Sequence, residues 1–424
     1  MAQDTIGSGG VAATHYIDGP YAWRRLLVSL LLSTIGGIGL WSVVVALPTI
    51  QAEFGVQRGG ASLPYTMTMM GIAVGGILMG RLADRHGIVR PLVIATLALS
   101  FGFILSSQVR NLFEFIVVQG LVIGLAGSAA TFGPLIADIS HWFRRRRGIA
   151  VAICASGNYL AGTFWPPVLQ AGIAAYGWRQ THIGIGLFCL VTMLPLILLL
   201  RRPSPIEAGP AVAAVPVAPE AVAPAPQAML QALLVVAGFA CCVAMSMPQV
   251  HIVAYCADLG FGPARGAEML SLMLGFGVVS RIASGWIADR LGGAATLLLG
   301  SAMQFLTLVL YLPFDGLMSL YVVSALFGLS QGGIVPSYAI IVREKFPASE
   351  AGTRVGVVIM ATIVGMAAGG WLTGVIFDWT GSYQAAFLHG IGWNVVNLAI
   401  ALWVWRGRRP QSSLRAGGGA LVQS

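Results

Sequence analysis

Charged side chains are scarce in this chain: Asp, Glu, Lys and Arg make up only 9% of its 424 residues, whereas hydrophobic residues make up 57%. Soluble domains carry about 25% charged residues. So small an ionic surface excludes an ordinary globule dissolved in water. A mean hydropathy of +0.83 instead predicts an all-α membrane protein, in which each spanning helix needs roughly 20 apolar residues.

Signatures of enzymes, cofactor proteins and secreted proteins are also missing. There is no GxxxxGK[ST] phosphate-binding loop, so we expect no ATP-driven step. The five cysteines lie in apolar segments without metal-ligand spacing, which predicts neither a metal site nor a disulfide. No nucleophile and base stand out as a pair, so we expect neither an enzyme nor a cofactor. Residues 1–20 lack the basic-then-apolar order of a signal peptide, so no cleavage is expected.

Twelve apolar segments are long enough to span a bilayer. They are 26–48, 62–83, 91–108, 112–137, 149–172, 181–200, 229–257, 267–288, 294–312, 317–341, 354–377 and 384–405. The Pro- and Ala-rich stretch that follows the sixth span has the composition of an extended linker. The predicted organisation is an N-terminal tail at 1–25, a six-helix half at 26–200, a linker at 201–228, a six-helix half at 229–405 and a C-terminal tail at 406–424.

The distribution of basic residues predicts the orientation. Of the 24 Lys and Arg residues, 19 flank the spans on the side of both termini, four lie on the other side and Arg281 lies within a span. The positive-inside rule therefore places both termini and the linker in the cytoplasm, and we expect a bacterial cytoplasmic (inner) membrane. The net charge of +9 then faces anionic lipid headgroups, and no nucleic-acid partner is expected.

The two halves repeat one another. GRLADRHG at 80–87 recurs as GWIADRLG at 285–292. This repeat resembles the signature of the major facilitator superfamily. The resemblance implies twelve transmembrane helices in two six-helix halves related by a pseudo-two-fold axis along the membrane normal, with the substrate between them.

The repeated turn predicts a cytoplasmic gate, because an acid at a helix end beside arginines can hold two helices together and release them. A turn that merely follows the positive-inside rule is the alternative. The expected gate residues are Gly80, Asp84, Arg85, Gly87, Gly285, Asp289 and Arg290.

Two further motifs narrow the resemblance. DGPYAW at 18–23, which departs from the pattern at Pro20, and WFRRRRGIAVAICASG at 142–157 resemble the two signatures of the monocarboxylate transporter family. Arg145, Arg146 and Arg147 form a basic ridge before the fifth span, and Asp138 lies one to two turns earlier, where we expect it to pair with the ridge. A packing helix with a basic anchor would also explain most of these residues.

Arg281 is the one charge deep within a span. It precedes Asp289 by eight residues, or about 12 Å of helix. An arginine at a helix centre costs about 2.5 to 3.5 kcal/mol on insertion scales and usually faces the bundle interior. Its planar guanidinium matches a carboxylate, and the resemblance implies the same role, because the family carries a substrate-binding Arg in its eighth helix. A permanent pair with a protein acid is the alternative.

The seventh span carries candidates for proton coupling. His251, Tyr255 and Asp258 lie at i, i+4 and i+7 on one helical face. Uptake of a proton by Asp258 or His251 would balance Arg281 while a carboxylate binds there, since His titrates near neutrality and a desolvated Asp is shifted upward. A core histidine and a helix-end acid are the alternatives.

Other polar residues are expected to line the cavity, although each is also a candidate for a hydrogen bond between helices. They are Asn158, Gln249, Ser280, Ser284, Gln331 and Tyr338; Tyr255 is expected to bind substrate as well.

The resemblance also has departures. The first span lacks the Lys that animal monocarboxylate transporters use in coupling, and Gly277 stands where they carry an Asp. Oxalate:formate antiporters, another relative, add a Lys in helix 11, but 355–377 holds no cation. One Arg therefore favours a substrate with one carboxylate.

The sequence as a whole predicts a secondary transporter of a small monocarboxylate such as lactate or pyruvate, coupled to protons and functional as a monomer. An organic-anion antiporter and a non-transporting anion sensor on the same fold stay open. A drug or lipid antiporter would instead be expected to carry an acid deep in the first or fourth span.

Overall fold

The computed structural model describes residues 17–202 and 224–407, and these form a bundle of twelve helices. We number them α1 to α12: Pro20–Phe54, Arg58–His86, Val89–Ser106, Leu112–Ser140, 147–176, 178–198, Pro224–Asp258, Pro263–Leu291, Gly293–Leu310, Leu317–Lys345, Ala348–Thr380 and Tyr383–Arg406. Each of the twelve predicted spans overlaps one of these helices. Residues 20 and 407 lie at one end of the bundle, the terminal face, and residues 58, 258 and 378 lie at the other end, the opposite face.

A single glycine separates α5 from α6. The helical run Arg147–Leu198 turns at Gly177, whose φ of 77° and ψ of 160° are not helical. Glycine adopts such a conformation without a steric penalty because it has no Cβ. Beside this turn, Arg179 binds Glu53 at the end of α1, with 2.6 Å between Nη2 and Oε1. The contact ties α6 to α1 within the N-terminal half.

Several helices begin before the predicted spans because a proline starts them. Pro20 and Pro263 occupy the first turns of α1 and α8, where a missing N–H costs no hydrogen bond. Residues 20–25 of the predicted N-terminal tail therefore belong to α1, and residues 224–228 of the predicted linker belong to α7. Residues 1–16, 203–223 and 408–424, which hold the rest of both tails and of the linker, lie outside the described residues.

The internal repeat is visible in the packing. The contact of α2 with α4 is repeated by α8 with α10, that of α3 with α6 by α9 with α12, and that of α1 with α5 by α7 with α11. The motif turns are repeated as well: Gly87 and Gly292 have φ of 75° and 76°, and each donates its N–H to a carbonyl four residues earlier at 2.8 Å.

Large apolar side chains lie both on the outer surface of the bundle and in its interior. Large side chains on α3, α6 and α9 point outward, including Phe101, Val191 and Leu306. Trp41, Tyr65 and Phe327 are buried. The halves meet chiefly through α2 with α11 and α5 with α8, with a smaller contact between α1 and α7. An apolar outer surface around a core that includes polar groups is the arrangement of a multi-pass integral membrane protein.

Candidate functional site

Arg281 crosses the contact between the two halves. Its Nη1 donates to the carbonyl oxygen of Ala155 on α5 at 2.8 Å. Its guanidinium carbon lies 4.6 Å from the centre of the Tyr159 ring, and Nε is buried without a hydrogen-bond partner. In residues 17–202 and 224–407, no carboxylate forms an ion pair with Arg281. The permanent acid partner that we considered as an alternative is therefore not among the described residues.

A glycine opposite Tyr159 gives this site its shape. A Cβ at Gly277 would lie 2.8 Å from ring carbons of Tyr159 and 3.5 Å from Nε2 of Gln331. The missing side chain lets the Tyr159 ring reach α8, one turn before Arg281. Tyr159 was not among the predicted site residues, although it follows Asn158 directly and an aromatic ring is a natural partner for a cation.

Three amides lie near this aromatic and cationic centre. Gln249 on α7 donates to Oε1 of Gln331 on α10, whose own Nε2 is buried without a partner. Asn158 lies one turn from Ala155 and is partly exposed. Its backbone carbonyl accepts from the Trp41 indole at 3.3 Å. The structure thus brings Arg281, Tyr159 and Gln331 together at the contact between the halves. The Asn158 side chain lies toward α1, where a Cβ at Gly37 would be 3.7 Å from its Oδ1.

Other predicted substrate ligands pack within the C-terminal half. Ser280 donates to the carbonyl of Leu329 at 2.6 Å, Ser284 touches Gly333, and Tyr338 donates to Oδ1 of Asn397 at 2.7 Å. Their contacts join α8 to α10 and α10 to α12. Their substrate-binding role stays a prediction, and these partners do not support it.

His251 and Tyr255 likewise face α11 and α12. His251 is fully buried; its Nε2 donates to the carbonyl of Gly370 at 2.8 Å, and its Nδ1 lies 3.4 Å from the Tyr383 hydroxyl. The Tyr255 ring packs against Tyr383, with 5.0 Å between centroids. Both histidine nitrogens therefore have partners, and the imidazole lies within a packed core.

Asp258 binds an arginine of the other half. Nη2 of Arg58 lies 3.0 and 2.8 Å from its two carboxylate oxygens. Asp378 at the end of α11 accepts the backbone N–H groups of Arg58 and Gly59 at 2.8 and 2.7 Å. We call Arg58, Asp258 and Asp378 the opposite-face cluster. Asp258 and Arg281 therefore do not form a direct pair in this structure.

The partner of Asp138 also differs from expectation. Its two carboxylate oxygens accept Nε and Nη2 of Arg25 on α1, each at 2.8 Å, instead of pairing with the basic ridge. Nη1 of Arg25 donates to the carbonyl oxygens of Leu200 and Arg202 at 3.0 and 3.2 Å. Asp138 belongs to the end of α4, which packs against α1, whereas the ridge lies after the turn between α4 and α5. Asp138 and the ridge are therefore not on one continuous helix. One buried arginine therefore joins α1, α4 and the end of α6.

The ridge itself joins the two monocarboxylate-type motifs. The Asp18 carboxylate accepts the backbone N–H groups of Arg144 and Arg145 at 3.3 and 3.1 Å. Burial alone would raise the pKa of Asp18, but these hydrogen bonds and the charge of Arg145 hold that pKa below its usual value. Arg146 lies over the Trp23 ring, and Arg147 donates to the Ser140 hydroxyl. The two motifs are therefore one contact surface on the terminal face.

The predicted gate residues lie on the terminal face. Asp84, Arg85, Asp289 and Arg290 are exposed. A Cβ at Gly80 or Gly285 would meet no atom within 4 Å. A cavity of about 840 Å³ opens beside the first copy of the motif, and its lining includes Arg25, Asp84, Arg85, Gly87, Asp138 and His141. The structure places each copy of the motif at a helix end, as predicted, and their gating role stays a prediction.

Comparison with known proteins shows the same architecture. Residues 29–353 match the sequence profile of the Major Facilitator Superfamily. The chain is similar to monocarboxylate transporter 13 of Rattus norvegicus, at 28% identity over 389 residues that cover 88% of this chain and 86% of the relative. It is also 26% identical to the MFS-type transporter pynF of Aspergillus niger over 311 residues, 72% of this chain and 69% of the relative.

Solved structures share the fold. A bacterial homologue of the human lysosomal transporter Spinster, in an inward-facing and occupied conformation, aligns with a TM-score of 0.68 at 14% identity, over 91% of this chain and 96% of that one. A mutant of the nucleoside transporter NupG aligns with a TM-score of 0.70 at 13% identity, over 91% and 99%.

Proposed function

Since this chain belongs to the major facilitator superfamily of transporters, we propose that it carries a small monocarboxylate across the membrane by alternating access, together with a proton. The observation that carries the proposal is Arg281. A guanidinium at membrane depth has a high desolvation cost, and the described residues supply it with a carbonyl and an aromatic ring but no negative charge. A substrate carboxylate would supply that charge.

The free donors of Arg281 suit one carboxylate. Nη1 is held by Ala155, and Nε has no partner. A carboxylate approaching the guanidinium edge would gain charge-assisted hydrogen bonds, which are about twice as strong as neutral ones. The unpaired Nε2 of Gln331, on the same side of α8 as the Tyr159 ring, is a candidate to bind a 2-oxo or 2-hydroxy oxygen, and Asn158 stays a predicted ligand. We therefore propose a cargo such as lactate or pyruvate.

We take the terminal face as cytoplasmic, in agreement with the distribution of basic residues. The hydrogen bonds between the halves run from Arg58 at the opposite face inward to Arg281. In the proposed cycle this is a state closed to the outside, and rocking of the halves exposes Arg281 to each side in turn. The open space around Gly80 and Gly285 is then available for close approach when the cytoplasmic side shuts.

The proton is proposed to use Asp258. Its side chain is 37% exposed and is held by Arg58 only while the opposite face is closed, so that opening would free the carboxylate to take a proton from the outside. His251 stays a second candidate. Its burial and its two partners favour a neutral structural role.

Uptake of labelled L-lactate into proteoliposomes tests the proposal. We expect stimulation by an inward proton gradient and loss of uptake in Arg281→Ala. Arg265→Ala is a matched control, because it removes an exposed arginine from the same helix, and it should keep uptake.

Equal uptake by the wild type and Arg281→Ala would refute the role of Arg281. Uptake that requires internal lactate and ignores the proton gradient would indicate an anion antiporter. Lactate binding without uptake by correctly oriented protein would indicate a sensor.

A further inference from the structure

The opposite-face cluster holds the two halves together by two different contacts. The Arg58 side chain, which is 6% exposed, binds Asp258 of the other half. The first two N–H groups of α2, those of Arg58 and Gly59, bind Asp378 of the other half. Both carboxylates belong to the C-terminal half, and both donor groups belong to the N-terminal half. Separation of the halves at this face therefore breaks both contacts at once.

The donors that remain after separation form an anion-binding group. A helix N-terminus has free N–H groups and the positive end of the helix dipole, and both favour a carboxylate. The guanidinium of Arg58 lies beside it, and its Nε and Nη1 are buried without an acceptor even in the closed structure. The rings of Phe377 and Tyr383 approach the guanidinium carbon at 4.9 and 5.8 Å. Because both rings belong to the C-terminal half, they too separate from Arg58 when the face opens.

We propose that Arg58 and the N-terminus of α2 form an entry site for the substrate carboxylate, which takes the places of Asp258 and Asp378 when the opposite face opens. The inference rests on the proposed function, since it takes the cargo to be a carboxylate that arrives from this face. A bound carboxylate offsets the loss of the two contacts between the halves. The substrate therefore favours opening of the face through which it enters, before it reaches Arg281.

The charges around the site agree with this role. Asp258 and Asp378 are the acids that hold the donors, and both leave with the C-terminal half. His251 and Tyr383 lie close by as a hydrogen-bonded pair of the C-terminal half, so they leave with the two acids. The freed donors of the N-terminal half thus carry net positive charge, which attracts an anion and repels a cation.

Distance measurements between spin labels would test the entry site. Cysteines at Gln108 and Phe314 place one label on each half at the opposite face, and both positions are exposed. The five native cysteines are buried and would label poorly. We expect L-lactate, but not the matched cation choline, to lengthen the distance between labels in the wild type and in Arg281→Gln.

Asp258→Asn also lacks the closed-state contact with Arg58 and is therefore the reference: relative to it, Arg58→Gln should require roughly 10- to 100-fold more lactate for the same lengthening, the loss expected for hydrogen bonds to a charged group. The double variant Arg58→Gln with Asp258→Asn leaves no unpaired charge, and it replaces Arg58→Gln in this comparison if the single variant does not fold. Asp258→Asn alone keeps Arg58 and should open at less lactate than the wild type.

The outcomes separate this inference from the proposed function. Lactate-driven opening that depends on Arg58 and persists in Arg281→Gln, which has lost uptake, supports both. Equal lactate dependence with and without Arg58 overturns the entry site, whatever uptake shows. Absence of lactate-driven opening in a wild type that takes up lactate overturns the entry site and leaves the proposed function standing.

Discussion

Replacement of Arg25 by Met should destabilise the N-terminal half strongly. The side chain of Arg25 is 1% exposed and that of Asp138 is 10% exposed, and the two are joined by a pair of 2.8 Å hydrogen bonds. Removal of one partner from a buried ion pair costs about 3 to 5 kcal/mol, because the other charge stays buried without compensation. The carbonyls of Leu200 and Arg202 lose a donor as well, which places the expected loss toward the upper end of that range.

The double variant Arg25→Met with Asp138→Leu distinguishes this reasoning from a simple loss of packing. Replacement of both charges by apolar residues is often neutral, so the double variant should recover most of the apparent melting temperature. A thiol-reactive dye reports unfolding directly, since the native cysteines are buried until the helices separate. If the double variant melts as low as Arg25→Met, the cost does not come from an unpaired Asp138 charge, and the prediction is wrong.

Two further predictions concern the candidate site and the terminal face. Tyr159→Leu should raise the KM for lactate about 2- to 30-fold, because it removes a cation–π contact worth about 0.5 to 2 kcal/mol, whereas Tyr159→Phe should change the KM little. Transport kinetics in proteoliposomes would measure both KM values, and equal values for the two variants would contradict the prediction. Because the pKa of Asp18 is lowered in the folded protein, Asp18 contributes to stability above its unfolded pKa of about 4, and this contribution is lost as the pH falls through the lower folded pKa. The melting temperature of Asp18→Asn should therefore depend less on pH in the acidic range than that of the wild type. Identical pH dependence of the two melting temperatures would exclude this contribution.

Much of the fold follows from local features of the sequence. Apolar length predicts the spans, and Gly87 and Gly292 predict the turns because each must adopt a positive φ at a helix end. The depth of Arg281 within α8 follows from helical rise alone. These features depend on residues that are close together in the chain, so the sequence contains enough information to predict them.

The partners of charged residues depend on how helices meet and could not be predicted in the same way. Arg58 and Asp258 are 200 residues apart, and Arg25 and Asp138 are 113 apart. Tyr338 illustrates a second difficulty. Its position in α10 was clear, but which side of the helix faces α12 depends on the packing of Asn397. An apolar run without amphipathic periodicity gives little indication of that rotation.

The duplicated acids at the ends of α1 and α7 have different partners. Glu53 and Asp258 occupy equivalent places in the repeat, 205 residues apart, as the two copies of the motif turn do. Glu53 binds Arg179 within its own half, whereas Asp258 binds Arg58 across the interface. We therefore expect a substitution at Glu53 to weaken the N-terminal half, and a substitution at Asp258 to weaken the contact between the halves. One copy of the repeated acid therefore holds a half together and the other holds the two halves to each other, so the two halves are not interchangeable.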